Sequence, residues 1–193
     1  MKLGSIFSNG VVLQRNQPIR VWGESKPNSF IKAEIAGVSG YAKTSGSGDF
    51  LLILPPLEHG GPFDLTVSLE EDTQESVTVS NVLIGEVWLC SGQSNMQYML
   101  GSRWAASETP ENVEPVGVQQ EKEFIKSVCP ADDIRFITIP MQVTGCSEKY
   151  FEASWMSMTS ENAPQASAAA AWFAAEIKKE LNVPIGLICC SWG

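Results

Sequence analysis

The stretch Gly85-Glu86-Val87-Trp88-Leu89-Cys90-Ser91-Gly92-Gln93-Ser94-Asn95-Met96 carries an apolar run directly into a Gly-Gln-Ser-Asn turn. A serine that leaves the carboxyl end of a buried strand faces the ligand edge of a parallel sheet, where nucleophilic hydroxyls are commonly held. Gly92 lets the backbone turn tightly, and the amides after the turn can point at an anion. On spacing alone two readings of Ser94 stand side by side: a nucleophile, or the cap of the helix that follows, since serine is a preferred helix cap. Gln93 and Asn95 flank it and either orient it and contact a substrate or satisfy backbone groups of the turn.

A serine hydroxyl needs a nearby base, usually a histidine held by Asp or Glu. The chain has one histidine, His59, in the turn Glu58-His59-Gly60-Gly61-Pro62. Its five cysteines, Cys90, Cys129, Cys146, Cys189 and Cys190, are odd in number and lack C-x-x-C spacing, so neither structural zinc nor a disulfide framework is indicated. No metal or organic cofactor is implied. Trp104 and Trp192 either stack on a ligand ring or serve as packing residues, and Trp172 is expected in the core. Cys189 and Cys190 point to opposite faces of one strand, and both are expected as small buried hydrophobes.

The elements that must position these residues fall into two patterns. From Val11 to Val79, β-branched and aromatic runs recur about every ten residues, at Val11–Leu13, Ile19–Trp22, Phe30–Ile35, Phe50–Leu54, Phe63–Leu69 and Ser76–Val79. Turn clusters such as Lys26-Pro27-Asn28-Ser29 and Ser45-Gly46-Ser47-Gly48-Asp49 separate them, which predicts an antiparallel sandwich. From Val82 to Cys90 the run is nearly continuous, as for a strand covered on both faces. Ile134–Ile139 and Ile185–Cys190 read as two more strands of that kind. Between them Ala166, Ala170, Phe173, Ile177 and Leu181 keep one helical face, with Pro164 near the start and Asn182 and Pro184 past the end. Strand, helix and strand in that order imply a parallel crossover. Residues 101 to 133 are polar and broken by prolines, and are expected as a long loop walling the site.

Composition bounds the function. Hydrophobic residues make up 44% and charged residues 18%, the range of a globular chain. Twenty-two acidic against thirteen basic residues leave a net charge of −9 without long runs, which opposes binding to nucleic acid or an anionic membrane surface. No stretch reaches the ~18 apolar residues of a membrane span. The start, Met1-Lys2-Leu3-Gly4, lacks the apolar core of a secretion signal, and the compartment stays open.

The block from Gly85 to Met96 resembles the first catalytic block of the SGNH hydrolase superfamily, in the branch of sialate O-acetylesterases and related carbohydrate acetylesterases. The resemblance runs along the chain: Val12-Leu13-Gln14-Arg15, Val21-Trp22-Gly23, Gly60-Gly61-Pro62-Phe63, Ile134-Arg135-Phe136, Ser167-Ala168, and Val183 to Ile188 leading into Ser191-Trp192-Gly193. It implies a β-sandwich, expected over residues 1–80, followed by a flavodoxin-like α/β esterase domain beginning in residues 81–193. It also implies that Ser94 is the acyl-accepting nucleophile, with its own N–H and that of Gly193 as oxyanion donors.

The histidine, its acidic partner and an oxyanion-hole asparagine, which the family draws from other blocks, have no match here, so the chain resembles an N-terminal fragment truncated after the third strand of the domain. Two functions follow as expectations: a carbohydrate O-acetylesterase acting on acetylated sialic acid or another acetylated sugar, or a non-catalytic carbohydrate-binding or interaction module. The strand Ile185 to Cys190 is expected at an exposed sheet edge or covered by a second copy or a C-terminal companion polypeptide.

Overall fold

The computed structural model describes residues 1–103 and 116–193; Trp104 lies outside the described residues. In chain order the elements are β1 (Lys2–Leu3), β2 (Val12–Gln14), β3 (Ile19–Glu24), β4 (Phe30–Ile35), β5 (Val38–Lys43), β6 (Asp49–Leu54), β7 (Gly60–Leu69), β8 (Ser76–Gly92), α1 (Ser94–Gln97), α2 (Val116–Val128), β9 (Ala131–Thr138), β10 (Met156–Met158), α3 (Ala168–Leu181) and β11 (Ile185–Ser191). The fold is mixed α/β around a large sheet. Strands β1, β3 and β6 form a three-stranded sheet, and the eight-stranded one runs β10-β9-β11-β8-β7-β4-β5, with β2 also paired to β8.

Alternation builds the N-terminal part. Ile31, Ala33 and Ile35 on β4, Phe50, Leu52 and Leu54 on β6, and Leu65, Val67 and Leu69 on β7 are buried, and they meet in one core with Val21 of β3 and Ile84 of β8. Each large side chain of this kind contributes about 1.5–3 kcal/mol by leaving water. The same cluster takes in Ile137 and Trp155 from the later part of the chain. β8 is one 17-residue strand: its first part pairs antiparallel with β7, and from Glu86 to Gly92 it pairs parallel with β11. The expected division between residues 80 and 81 therefore falls inside a strand.

A second core lies under α3, where Ile134 and Phe136 of β9 and Ile185, Leu187 and Cys189 of β11 meet the helix. The crossover is parallel, with Ile185 opposite Ile134 and Leu187 opposite Phe136. Ser167 caps α3 by accepting from the Ala170 N–H, and Asn182 ends it in the left-handed conformation, its N–H donating to Lys178 O.

Several expectations are corrected here. The buried face of α3 is Ala170, Ala171, Ala174 and Ala175, while Phe173, Leu181 and Trp172 are exposed. Small residues bring the helix backbone close to the sheet, and the large ones are left at its flanks, where Trp172 stacks on Phe124 at 4.0 Å and Phe173 meets Trp88 edge-on at 4.9 Å. The span 101–133 is not all loop, because it contains α2. There Val118, Phe124 and Ile125 are buried at helical spacing, a periodicity masked by intervening charges. The apolar run of β8 is buried from Val82 to Gly85, but Trp88 and Leu89 are exposed. β11 is no edge strand: it pairs with β8 on one side and β9 on the other. Cys189 is buried as expected, whereas Cys190 is exposed.

Candidate active site

The parallel strands β8, β11 and β9 end at Gly92, Ser191 and Thr138, and the chain turns sharply after the first of them. Gly92 has φ +154°, a conformation that side chains disfavour. Gln93 occupies the cap position of α1 without a side-chain hydrogen bond, and Ser94 is the first helical residue. The helix-cap reading of Ser94 is thus set aside. Among the described residues its hydroxyl has no hydrogen-bond partner, and Gln93, Ser94 and Asn95 are all exposed. The side chains of Gln93 and Asn95 likewise satisfy no backbone group of the turn.

What holds this turn in place is spread along the chain. Ser167 Oγ donates to Met96 O at 2.6 Å while capping α3, and the Ala168 N–H donates to Tyr98 O at 2.8 Å. Tyr98 Oη donates to Glu121 Oε1 of α2 at 2.7 Å; desolvation, followed by that carboxylate, holds the phenol above its ordinary pKa. The Trp192 N–H donates to Gly92 O at 3.0 Å, which ties the end of β11 to the turn. In the sequence Ser167 stands out only in the Ser167-Ala168 pair of the family resemblance, and its bond to α1 is a tertiary contact that spacing does not reveal.

Gly193, reached from the end of β11, lies against Ser94. A β-carbon on Gly193 would fall 2.1 Å from Ser94 N and 2.5 Å from Ser94 Cα, so only glycine allows the approach. The two residues assigned to one site from sequence are therefore adjacent in space. The Gly193 N–H donates to Gln97 Oε1 at 2.9 Å, so a side-chain oxygen occupies that amide. Gln97 was not singled out from sequence; it lies one short helical turn after Ser94.

Two clefts flank the turn. One of about 500 Å³ borders Gly92 and Trp192, and one of about 230 Å³ lies between Met96, Gln97 and Cys189; Ser94 itself lines neither. Beneath them Cys90 and Cys189 interact across β8 and β11. The hydrogen bond from Cys189 pulls the Cys90 thiol below its ordinary pKa, and that contact together with burial pushes Cys189 up. His59 precedes Gly60, which pairs with Ile84, eight residues before Gly92. At ~3.3 Å per residue this sets it roughly 25 Å from the turn. No group of three or more metal-ligating side chains occurs among the described residues.

No protein-family model matches the chain. It is similar to the sialate O-acetylesterases of Homo sapiens (26% identity, all of this chain and 37% of the relative) and Mus musculus (27%, all of this chain and 36% of the relative). The sialate O-acetylesterase of Rattus norvegicus is 31% identical over 76% of this chain and 26% of the relative. The chain thus spans little more than a third of the curated relatives it matches. Among solved structures, a carbohydrate acetylesterase from Xanthomonas citri superposes with a TM-score of 0.82 at 28% identity, over 99% of this chain and 40% of that one. Along its whole length, in both sequence and fold, the chain is similar to the sialate and carbohydrate acetylesterases.

Proposed function

We propose that the protein takes part in removing O-acetyl groups from sugars, with Ser94 as the nucleophile. The approach of Gly193 to Ser94 is the observation that carries this reading: it brings the backbones of the two residues together at the end of a parallel sheet, where the Ser94 hydroxyl has no partner among the described residues. Ser94 Oγ attacks the acetyl carbonyl, the N–H groups of Ser94 and Gly193 receive the developing oxyanion, and the sugar leaves with its hydroxyl restored; water then releases acetate. The Gly193 amide exchanges Gln97 Oε1 for the substrate oxygen in the first step. Gln93 and Asn95 contact the substrate at the exposed rim. In this reading β8, β9 and β11 are strands of an SGNH-type hydrolase domain in residues 81–193, joined through β8 to a β-sandwich in residues 1–80.

The base that activates Ser94 is not His59, which is too distant. Residues 1–193 alone are therefore expected to hydrolyse a generic acetyl ester no faster than their Ser94→Ala form. This observation also favours a second reading, a sugar-binding module without chemistry. Acetate release separates the two when residues 1–193 are extended by the part of a relative that this chain does not span. The esterase reading expects Ser94→Ala to lower kcat by about a thousandfold or more with little change in sugar affinity. A variant that kept most of its rate would sink it.

A further inference from the structure

We propose that the larger cleft holds the sugar and selects neutral acetylated sugars over those bearing a carboxylate, which rests on the acetylesterase reading and adds its substrate class. The cleft begins at Gly92, two residues before Ser94, and ends on Trp192, next to Gly193, so a sugar in it carries its acetyl group toward the proposed nucleophile. Its volume, about 500 Å³, is within the range of small-molecule sites. Trp192 is 54% exposed, with its backbone N–H donating to Gly92 O, and so offers beside the turn a flat face on which the C–H face of a pyranose ring can stack. Met141 and Phe151 supply further apolar wall, and Gln142 and Glu148 supply polar groups.

Charge decides which sugar fits. Among the described residues, Glu148 is the one acidic side chain on the walls, and neither cleft is lined by Lys or Arg. Lys149, its neighbour in sequence, is taken up by Asp49 and Glu24, and Arg15 by Glu86. A ligand carboxylate would meet a carboxylate with no counter-charge, within a chain of net charge −9. Sugar hydroxyls instead donate to Glu148 in charge-assisted hydrogen bonds.

The test is calorimetric titration of residues 1–193 with an O-acetylated xylo-oligosaccharide and with 9-O-acetylated sialic acid. The neutral sugar is expected to bind at least tenfold more tightly. Trp192→Ala should weaken it tenfold or more, with Trp192→Phe keeping most of the affinity, and Glu148→Gln should narrow the gap by raising sialate affinity severalfold. Equal or tighter sialate binding, no binding of either sugar, or indifference to both substitutions would overturn the proposal. Acetate release by the extended protein is scored apart: Ser94-dependent release with a sialate preference overturns the selectivity and keeps the esterase reading. Loss of Ser94 dependence with neutral-sugar binding intact keeps the selectivity and removes the chemistry.

Discussion

Cys90 on β8 and Cys189 on β11 are direct partners across the parallel pair, each four residues ahead of Ser94 and Gly193 respectively. Both are buried and point toward α3, while Cys146 and Cys190 are exposed. A thiol reacts as its thiolate and only where a reagent can reach it. Native protein is thus expected to show two fast thiols toward a disulfide reagent, Cys146 and Cys190. Cys129, half-buried and with its pKa raised by burial, should follow slowly, and Cys90 and Cys189 should react on unfolding. Mass mapping of labelled peptides over time checks this order, and early label on Cys189 would contradict the packing described.

Gly193→Ala puts a methyl group into the backbone of Ser94 and must push the two apart. In the extended protein kcat should fall by about a hundredfold or more, the loss typical of one oxyanion donor. Gly193 is exposed, so the urea midpoint should hardly move. A wild-type rate would show that its amide has no part in catalysis.

Arg15 Nε donates to Glu86 Oε1 at 2.7 Å, and Gln14 Nε2 adds a bond to the other oxygen at 3.3 Å. The guanidinium first, and the amide after desolvation is set against it, hold the Glu86 carboxyl below its ordinary value. A carboxyl depressed in the folded state adds stability above its unfolded value of about 4.3 and loses it as pH falls through the folded value. Glu86→Gln should therefore cost on the order of 1 kcal/mol at pH 7. Urea unfolding curves of the two proteins should converge below pH 3, and an equal gap at both pH values would remove the pair from the acid response.

The alanine face of α3 leaves no room for growth. Ala174 is fully buried, and Ala174→Leu should destabilise the fold by about 1–3 kcal/mol through overpacking. Leu181→Glu on the exposed side should stay within about 0.5 kcal/mol. Thermal or urea unfolding compares them directly, and a larger effect at Leu181 would mean that this flank is covered in solution.

The contrast at α3 shows what was legible in the sequence. Its limits could be read, because proline and asparagine act locally on the backbone. Its buried face could not, since periodicity shows which residues share a side and not which side lets two backbones approach. Spacing groups Phe173 and Leu181 with Ala170, yet the close approach of helix to sheet buries the alanines and leaves those two exposed. The same limit hid β5, whose Val38-Ser39-Gly40-Tyr41-Ala42-Lys43 carries little alternation and is a strand because β4 pairs with it. The placement of Ser94 just past a strand end was legible because strand and turn adjoin in sequence, whereas the contact of Gln97 was not, because it exists only where Gly193 returns from 96 residues away.

β8 also governs which changes in chain length the protein can absorb. Side chains alternate along a strand, so one residue inserted or deleted between Val82 and Gly92 would exchange the two faces of everything beyond it. Trp88 and Cys90 would turn away from α3, Leu89 would turn under it, and the Gly92 turn would present Ser94 to the wrong side of the sheet. Point substitutions along β8 can be local in effect. A shift in its length cannot, because it carries every residue beyond it to the other face.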